Sequence, residues 1–200
     1  MRNLLSTKDQ RQLRLMETLI QNRNWMKLHE LAEKLGCTER ILKSDLNELR
    51  LAFPSIDIQS SVNGIMIDLE VNTSVEDVYQ YFLANSQSFQ LLEYLFFNEG
   101  LPIYRTIENL HSSNANLYRL GRNITKTLSA QFQIELSFTP SAIRGNEIDI
   151  RYFFAQYFSE RYYFLDWPFP DLPEEDLTEF ADFFYKITNY PMRFSIYRMY

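Results

Sequence analysis

The stretch Leu28–Arg50, LHELAEKLGCTERILKSDLNELR, decides the fold. Leu28, Leu31, Ala32 and Leu35 fall on one face at helical spacing. Gly36 follows, where a helix end needs a residue free to take positive φ. Thr38 can then cap a second helix, its hydroxyl accepting one of the orphan N–H bonds of the first turn. In that helix Leu42, Leu46 and Leu49 share a buried stripe. The opposite side carries Glu39, Arg40, Lys43, Ser44, Asn47 and Arg50, long and mostly basic or amide-bearing. This pattern predicts a helix-turn-helix whose second helix offers a polar face to a DNA groove. An ordinary helical hairpin with a solvated face fits the same spacing.

Outward from this motif the pattern grows more specific. Ser6 or Thr7 can cap a preceding helix to about Asn22, with Leu13, Met16, Leu19 and Ile20 as its core stripe. Asn22-Arg23-Asn24 reads as a turn and Trp25 as a core anchor. Pro54 ends the second motif helix. Ile56, Ile58, Ile65, Ile67 and Leu69 alternate with polar residues around Val62-Asn63-Gly64, which predicts a β-hairpin. Three helices and a hairpin make a winged helix. Its tip, Ser60 to Gly64, can lie along a DNA backbone or simply cover the core.

The order then repeats. Ser74 starts a short acidic connector helix, Val75 to Ala84, through a capping-box-like Ser74-Val75-Glu76-Asp77. Helices follow at about Phe89–Asn98, with Leu92, Leu95 and Phe96 facing a core, and at Ile103–Leu110. His111-Ser112-Ser113-Asn114 reads as a turn. A longer helix runs from Ala115 to about Phe132, with Leu117, Leu120, Ile124 and Leu128 inward and Asn116, Arg119, Arg122, Asn123 and Lys126 outward. Gly121 stands mid-helix, where glycine costs about 1 kcal/mol relative to alanine. Ile134, Leu136 and Phe138 alternate as a strand, and a turn near Pro140-Ser141 leads to Ile143 and Gly145, the return of a second wing.

Beyond it, Arg151 to Leu165 predicts a helix with aromatics almost all round, buried or forming an interface. Trp167-Pro168-Phe169-Pro170 breaks it. Glu174 to Asn189 forms another, with Phe180, Phe183, Phe184 and Ile187 as its stripe, and a new element begins after Pro191. The expected fold is mainly α with small β-hairpin wings. Two tandem winged helix-turn-helix domains, 1–72 and 73–150, precede an aromatic-rich helical segment, 151–200. That segment reads as the beginning of a truncated regulatory domain.

Composition narrows the function classes. Apolar residues make up 46 % of the chain, enough for packed cores and too many for disorder. No apolar run reaches a membrane span, and the start lacks a signal peptide's apolar core. The single cysteine, Cys37, forms no intrachain disulfide and reads as a small core residue. These features fit a cytoplasmic protein. The net charge is −6, but residues 1–54 carry ten Lys/Arg against seven Asp/Glu, and the acidity lies at 55–85 and 147–200. A local basic face is what phosphate binding needs. No Gly-rich phosphate loop, Cys/His metal cluster or His-anchored nucleophile is visible, so neither catalytic residues, a metal nor a cofactor is expected.

The expected function is a DNA-binding transcription regulator. Its candidate contacts are Thr38, Arg40, Lys43, Ser44 and Asn47 on the first motif and Asn63 on the first wing. The second motif adds Asn114, Asn116, Arg119, Arg122, Asn123 and Lys126, and its wing Arg144. The partner is double-stranded DNA, with no membrane and no small-molecule substrate. A homodimer or higher oligomer is expected through 151–200. The competing expectation is a winged-helix protein-interaction module, which the net acidity and the aromatic helix favour.

Ile143 to Phe154, IRGNEIDIRYFF, resembles the I-x-G-x-E-x-x-I-R-x-F segment of Mga/AtxA-like bacterial transcriptional regulators. Asn114 to Arg119, NANLYR, is similar to the start of their second recognition helix, and Leu31 to Leu49 to their first motif. The resemblance implies two N-terminal winged helices that bind promoter DNA, in an activator of virulence-type or metabolic operons. It also implies that helical domains resembling sugar-phosphotransferase regulation domains follow, tuned by histidine phosphorylation. His29 and His111 lie inside the motifs and match no regulatory phospho-histidine, so the sensing part would lie in sequence beyond this segment.

Overall fold

The computed structural model describes residues 1–69, 74–163 and 167–189. The boundary expected at residue 72, the helix end at 164–165 and the element after Pro191 fall outside them. Among the described residues the chain is mainly helical with two small antiparallel hairpins.

The first unit comprises α1 (Thr7–Asn22), α2 (Leu28–Leu35), α3 (Glu39–Ala52), β1 (Ile56–Ser61) and β2 (Gly64–Leu69). Each boundary has a local cause. Ser6 accepts the Asp9 N–H at the start of α1, and Arg23 closes it in the left-handed region. Gly36 ends α2 at φ 65° and Thr38 accepts the Ile41 N–H at the start of α3. Such caps are each worth about 1 kcal/mol. The core is the expected leucine set, with Leu31, Leu42, Leu46 and Leu49 buried against Leu13, Met16 and Leu19.

One element was not expected. The Met26 backbone exchanges two hydrogen bonds with Ile65, at 2.9 and 2.8 Å, and so adds a third short strand to the wing. Trp25 is therefore not the core anchor. It stands 37 % exposed while Met26 packs against the core. Gly64 permits this pairing: a Cβ there would lie 2.1 Å from the Met26 carbonyl oxygen.

The second unit repeats the plan with α5 (Gln87–Phe97), α6 (Ile103–Asn109), α7 (Asn114–Phe132), β3 (Glu135–Phe138) and β4 (Ser141–Arg144). In place of the Met26 bridge, the loop after α5 is tied to the second wing by two backbone hydrogen bonds. The Gly100 N–H donates to Ser141 O at 2.8 Å, and the Ser141 N–H to Leu101 O at 3.2 Å. Gly121 is buried because the Phe138 ring occupies the place of its side chain, and a Cβ would come within 2.4 Å of that ring. Leu117, Ile124 and Leu128 are buried, Leu120 is half-buried, and Phe96, though 38 % exposed, packs its ring on the core aromatics Phe154 and Phe158 at 4.6 and 4.8 Å.

Two helices join the units. The expected connector, α4 (Val75–Asn85), is capped by Ser74 and Asp77 and buries Val78, Phe82 and Leu83, packing against α1 and α5. The aromatic helix, α8 (Glu147–Arg161), starts earlier than expected because the Asn146 side chain caps it by accepting the Ile148 N–H at 2.8 Å. A boundary at 150 therefore falls inside it. Phe153, Phe154, Tyr157 and Phe158 are buried while Tyr152 is 59 % exposed, so its aromatics belong to one core face. The Tyr157 hydroxyl donates to Phe89 O on α5 at 2.8 Å. Tyr79 and Gln80 of α4 both donate to Glu160 of α8. The last described helix, α9 (Glu174–Thr188), buries Ala181 and leaves Phe180, Phe183 and Ile187 exposed, so its expected core stripe is uncovered.

Candidate nucleic-acid interface

The outer face of α3 is built by subtraction. Leucines take the inner stripe, and Arg40, Lys43, Ser44 and Asn47 remain exposed along one side, with Thr38 exposed at its cap. Among the described residues Arg40 and Lys43 make no ion pair, which leaves two cations free for an external anion. Arg50 behaves differently. Its Nε donates to Ile58 O at 3.0 Å, its Nη2 to Ser60 Oγ and its Nη1 to Asn47 Oδ1 at 3.2 Å. It is a tie between helix and wing rather than part of the free face, and it steers the Asn47 amide.

The sequence did not disclose how α3 is held. Asp45, only 1 % exposed, accepts from Arg11 Nε at 2.6 Å, Arg11 Nη2 at 3.1 Å and Gln12 Nε2 at 3.0 Å. Gln12 Nε2 also donates to Glu48 at 2.9 Å, and Lys8 pairs with Glu48. These bonds to Lys8 and Gln12 hold the Glu48 carboxyl below its ordinary pKa. Three residues of α1 thus fix two acids of α3. Spacing could not reveal this, because the partners lie more than thirty positions apart.

At the first wing tip Val62 is 94 % exposed and Asn63 is exposed beside it. Lys27 Nζ donates to Val62 O at 3.0 Å and braces the turn. The expected polar tip therefore carries one bare aliphatic side chain.

On α7 the candidate residues divide. Asn114 is exposed at the first turn. Asn116 is half-buried, donating to Ser112 Oγ at 2.9 Å and accepting from Arg119 Nη2 at 2.7 Å. Arg122 and Lys126 rim a groove of about 370 Å³ between α7 and the second wing, floored by Gly121, Leu136 and Phe138. Thr125 Oγ1 accepts the Leu136 N–H there at 3.0 Å, tying this helix to its wing as Arg50 ties α3. Arg119, Asn123 and Lys126 face a larger cleft of about 910 Å³, whose other walls are the N-terminal turns of α1 and α5. Arg144 is exposed but lies at the root of its wing, paired in register with Glu135 and not at the turn. Cys37 is half-buried against the core, and burial pushes its thiol pKa up.

Among the described residues no group of three or more His, Cys, Asp or Glu lies close enough to hold a metal ion, and no helix is long and apolar enough to cross a membrane.

Three family models match the chain in succession. The M protein trans-acting positive regulator (MGA) HTH domain matches residues 6–65, the Mga helix-turn-helix domain 71–158 and the MGA PRD domain 173–200. The second match ends within α8. A putative trans-acting regulator of Streptococcus pneumoniae is 47 % identical over 199 residues, covering 100 % of this chain and 40 % of its own length. The capsule synthesis positive regulator AcpA of Bacillus anthracis is 26 % identical, covering 86 % of this chain and 36 % of its own length. The anthrax toxin expression trans-acting positive regulator of the same organism is 23 % identical over 91 % of this chain and 38 % of its own length. The chain spans about two fifths of the length of the curated relatives it matches.

Proposed function

Since the chain belongs to the Mga family of bacterial trans-acting regulators, we propose that it is the promoter-gripping part of a transcriptional activator. It holds duplex DNA through α3 and α7. The observation that carries this reading is the exposed, unpaired cations on the outer face of each motif helix, Arg40 and Lys43 on α3 and Arg122 and Lys126 on α7. Each helix is fastened to its wing from behind, so these side chains are presented on rigid elements. Arg40, Lys43, Ser44 and Asn47 enter one major groove, with Thr38 at the leading end and Asn63 beside the backbone. Asn114, Arg119, Arg122, Asn123 and Lys126 serve the second head, with Asn116 holding Arg119 in place. Arg144 lies too far from the wing turn to lead an approach and adds long-range attraction. The operons served are of the virulence or metabolic type.

The aromatic helix that favoured a protein-interaction module is spent on the core, through Phe153, Phe154, Tyr157 and Phe158. That leaves DNA as the better partner. Self-association falls instead to the exposed Phe180, Phe183 and Ile187 of α9. Sedimentation at rising concentration tests this, and a strictly monomeric profile refutes it.

The test of DNA contact is a mobility-shift titration of promoter and random duplex at several salt concentrations. Changing Arg122 and Lys126 together to alanine lowers affinity and reduces the salt slope by about one unit per lost phosphate contact. Unchanged affinity and slope remove α7 from the interface. Absence of any shift at micromolar protein and low salt refutes the function.

A further inference from the structure

The cleft between the two units holds more polar capacity than the fold uses. One wall is the N-terminal turn of α5. Its cap residue, Ser86, makes no side-chain bond to the helix, and its first turn carries no acid. Ser86 is 3 % exposed and Ser88 is 7 % exposed, and both line the cleft. Among the described residues neither hydroxyl has a hydrogen-bond partner. Neither oxygen is among the fully buried atoms that lack a partner, so both open onto the cleft, where an external acceptor can reach them. The facing walls supply charge. The described lining includes three bases, Lys8, Arg119 and Lys126, against one acid, Asp9. The Asp9 carboxylate already accepts from Ser6 Oγ at 2.7 Å, Lys8 is held by Glu48, and Arg119 leans on Asn116, so Lys126 is the uncommitted cation. The start of α5 adds the positive end of its dipole and the unbonded N–H groups of a helix's first turn.

Two hydroxyl donors, a helix N-terminus and cations lining one polar opening match a tetrahedral oxyanion. We propose that this cleft seats a phosphate group, with Ser86, Ser88 and the first turn of α5 as donors and Lys126 and Arg119 as counter-charges. Resting on the DNA-binding reading above, the phosphate is a backbone phosphodiester beside the groove that α7 enters. The recognition helix and the seat share Arg119 and Lys126, so a phosphate held here fixes the depth at which α7 lies.

The test uses the ¹⁵N-labelled chain, titrated with inorganic phosphate replacing chloride at constant ionic strength. Saturable shifts of the Gln87 and Ser88 amides are expected. Ser86→Asp places a carboxylate in the seat while giving α5 a good cap, so it abolishes these shifts without lowering the thermal midpoint. Ser88→Ala removes one donor to a charged acceptor and weakens phosphate by about tenfold. It keeps the test decisive if the aspartate variant misfolds. Random duplex, added next, moves the same two amides, competes with phosphate and binds Ser86→Asp more weakly. Phosphate shifts that duplex neither reproduces nor displaces overturn the backbone assignment and make the seat one for a free phosphate. Still amides in both titrations, with a gel shift intact, overturn the seat and leave the DNA reading standing. Phosphate shifts in a chain that never retards a duplex do the reverse.

Discussion

Replacing Gly121 by alanine sets two physical effects against each other, and the structure decides the sign. In an exposed helix interior this change stabilises by about 1 kcal/mol, because alanine gives up less chain entropy. Here the new Cβ would lie 2.4 Å from Cε2 and 2.6 Å from Cζ of Phe138. Contact needs at least about 3.5 Å between carbons, so the ring must retreat by roughly 1 Å. Phe138 cannot swing freely. It is buried to 8 % exposure, its strand pairs with β4, and Tyr118 packs edge-on against it at 5.2 Å. Overpacking a well-filled core costs about 1–3 kcal/mol, and two ring atoms inside contact distance point to the upper part of that range. The net expectation is a loss of about 1–2 kcal/mol, read by urea denaturation followed by circular dichroism. Phe138→Leu shortens the obstacle, so alanine at 121 costs less in that background than in the wild type. A double-mutant cycle measures the difference. A higher unfolding midpoint for Gly121→Ala alone refutes the reasoning, since it would mean that helix propensity outweighs the ring contact.

Two further outcomes test the packing between elements. Asp45→Asn keeps the shape of the buried group that joins α3 to α1 but weakens its bonds to Arg11 and Gln12. Hydrogen bonds to charged groups are worth about 1.5–3 kcal/mol, and a loss in that range is expected on urea denaturation; one below about 0.5 kcal/mol refutes the latch. Alkaline pH tests the joints made by α8. Burial first, then the Glu93 carboxylate, pushes Tyr162 up to about 12 and Tyr157 higher, and burial with Glu160 raises Tyr79. A phenol whose pKa is higher folded than unfolded contributes stability that is complete below about pH 10 and lost above it. Stability should therefore hold at about pH 9 and fall as pH passes from about 10 toward 12, with tyrosinate absorbance lagging behind that of the unfolded chain. Superimposable tyrosinate titrations of the folded and unfolded chains refute this.

Much of the fold was legible because it is written in local terms. The leucine periodicity of α2 and α3, Gly36, the Thr38 cap and the Ile alternation around Asn63 each act within a few residues. What escaped was set by partners distant in sequence. Trp25 and Met26 look interchangeable as apolar residues until Ile65 pairs with one of them. Gly121 reads as a weak point until Phe138 fills the space above it. The start of α8 was hidden because Glu147, Ile148, Asp149 and Ile150 alternate polar and apolar as a strand does, while the Asn146 cap had already begun a helix. The candidate contacts were legible as types, since an exposed arginine on a helix opposite leucines is visible in spacing. Their grouping was not, because the division of α7 between a wing groove and an inter-unit cleft depends on where α1 and α5 end up.

The bracing of α4 against α1 on one side and α8 on the other turns the two heads into the jaws of a locked caliper. A caliper measures one gap. On B-form DNA, inserting five base pairs between two half-sites turns one of them by about half a revolution to the far side of the cylinder. A flexible tether would follow it round; a fixed jaw is left facing empty solvent. On the DNA-binding reading proposed above, the phasing of sequence along the duplex is then set by the skeleton of the protein rather than by any one side chain.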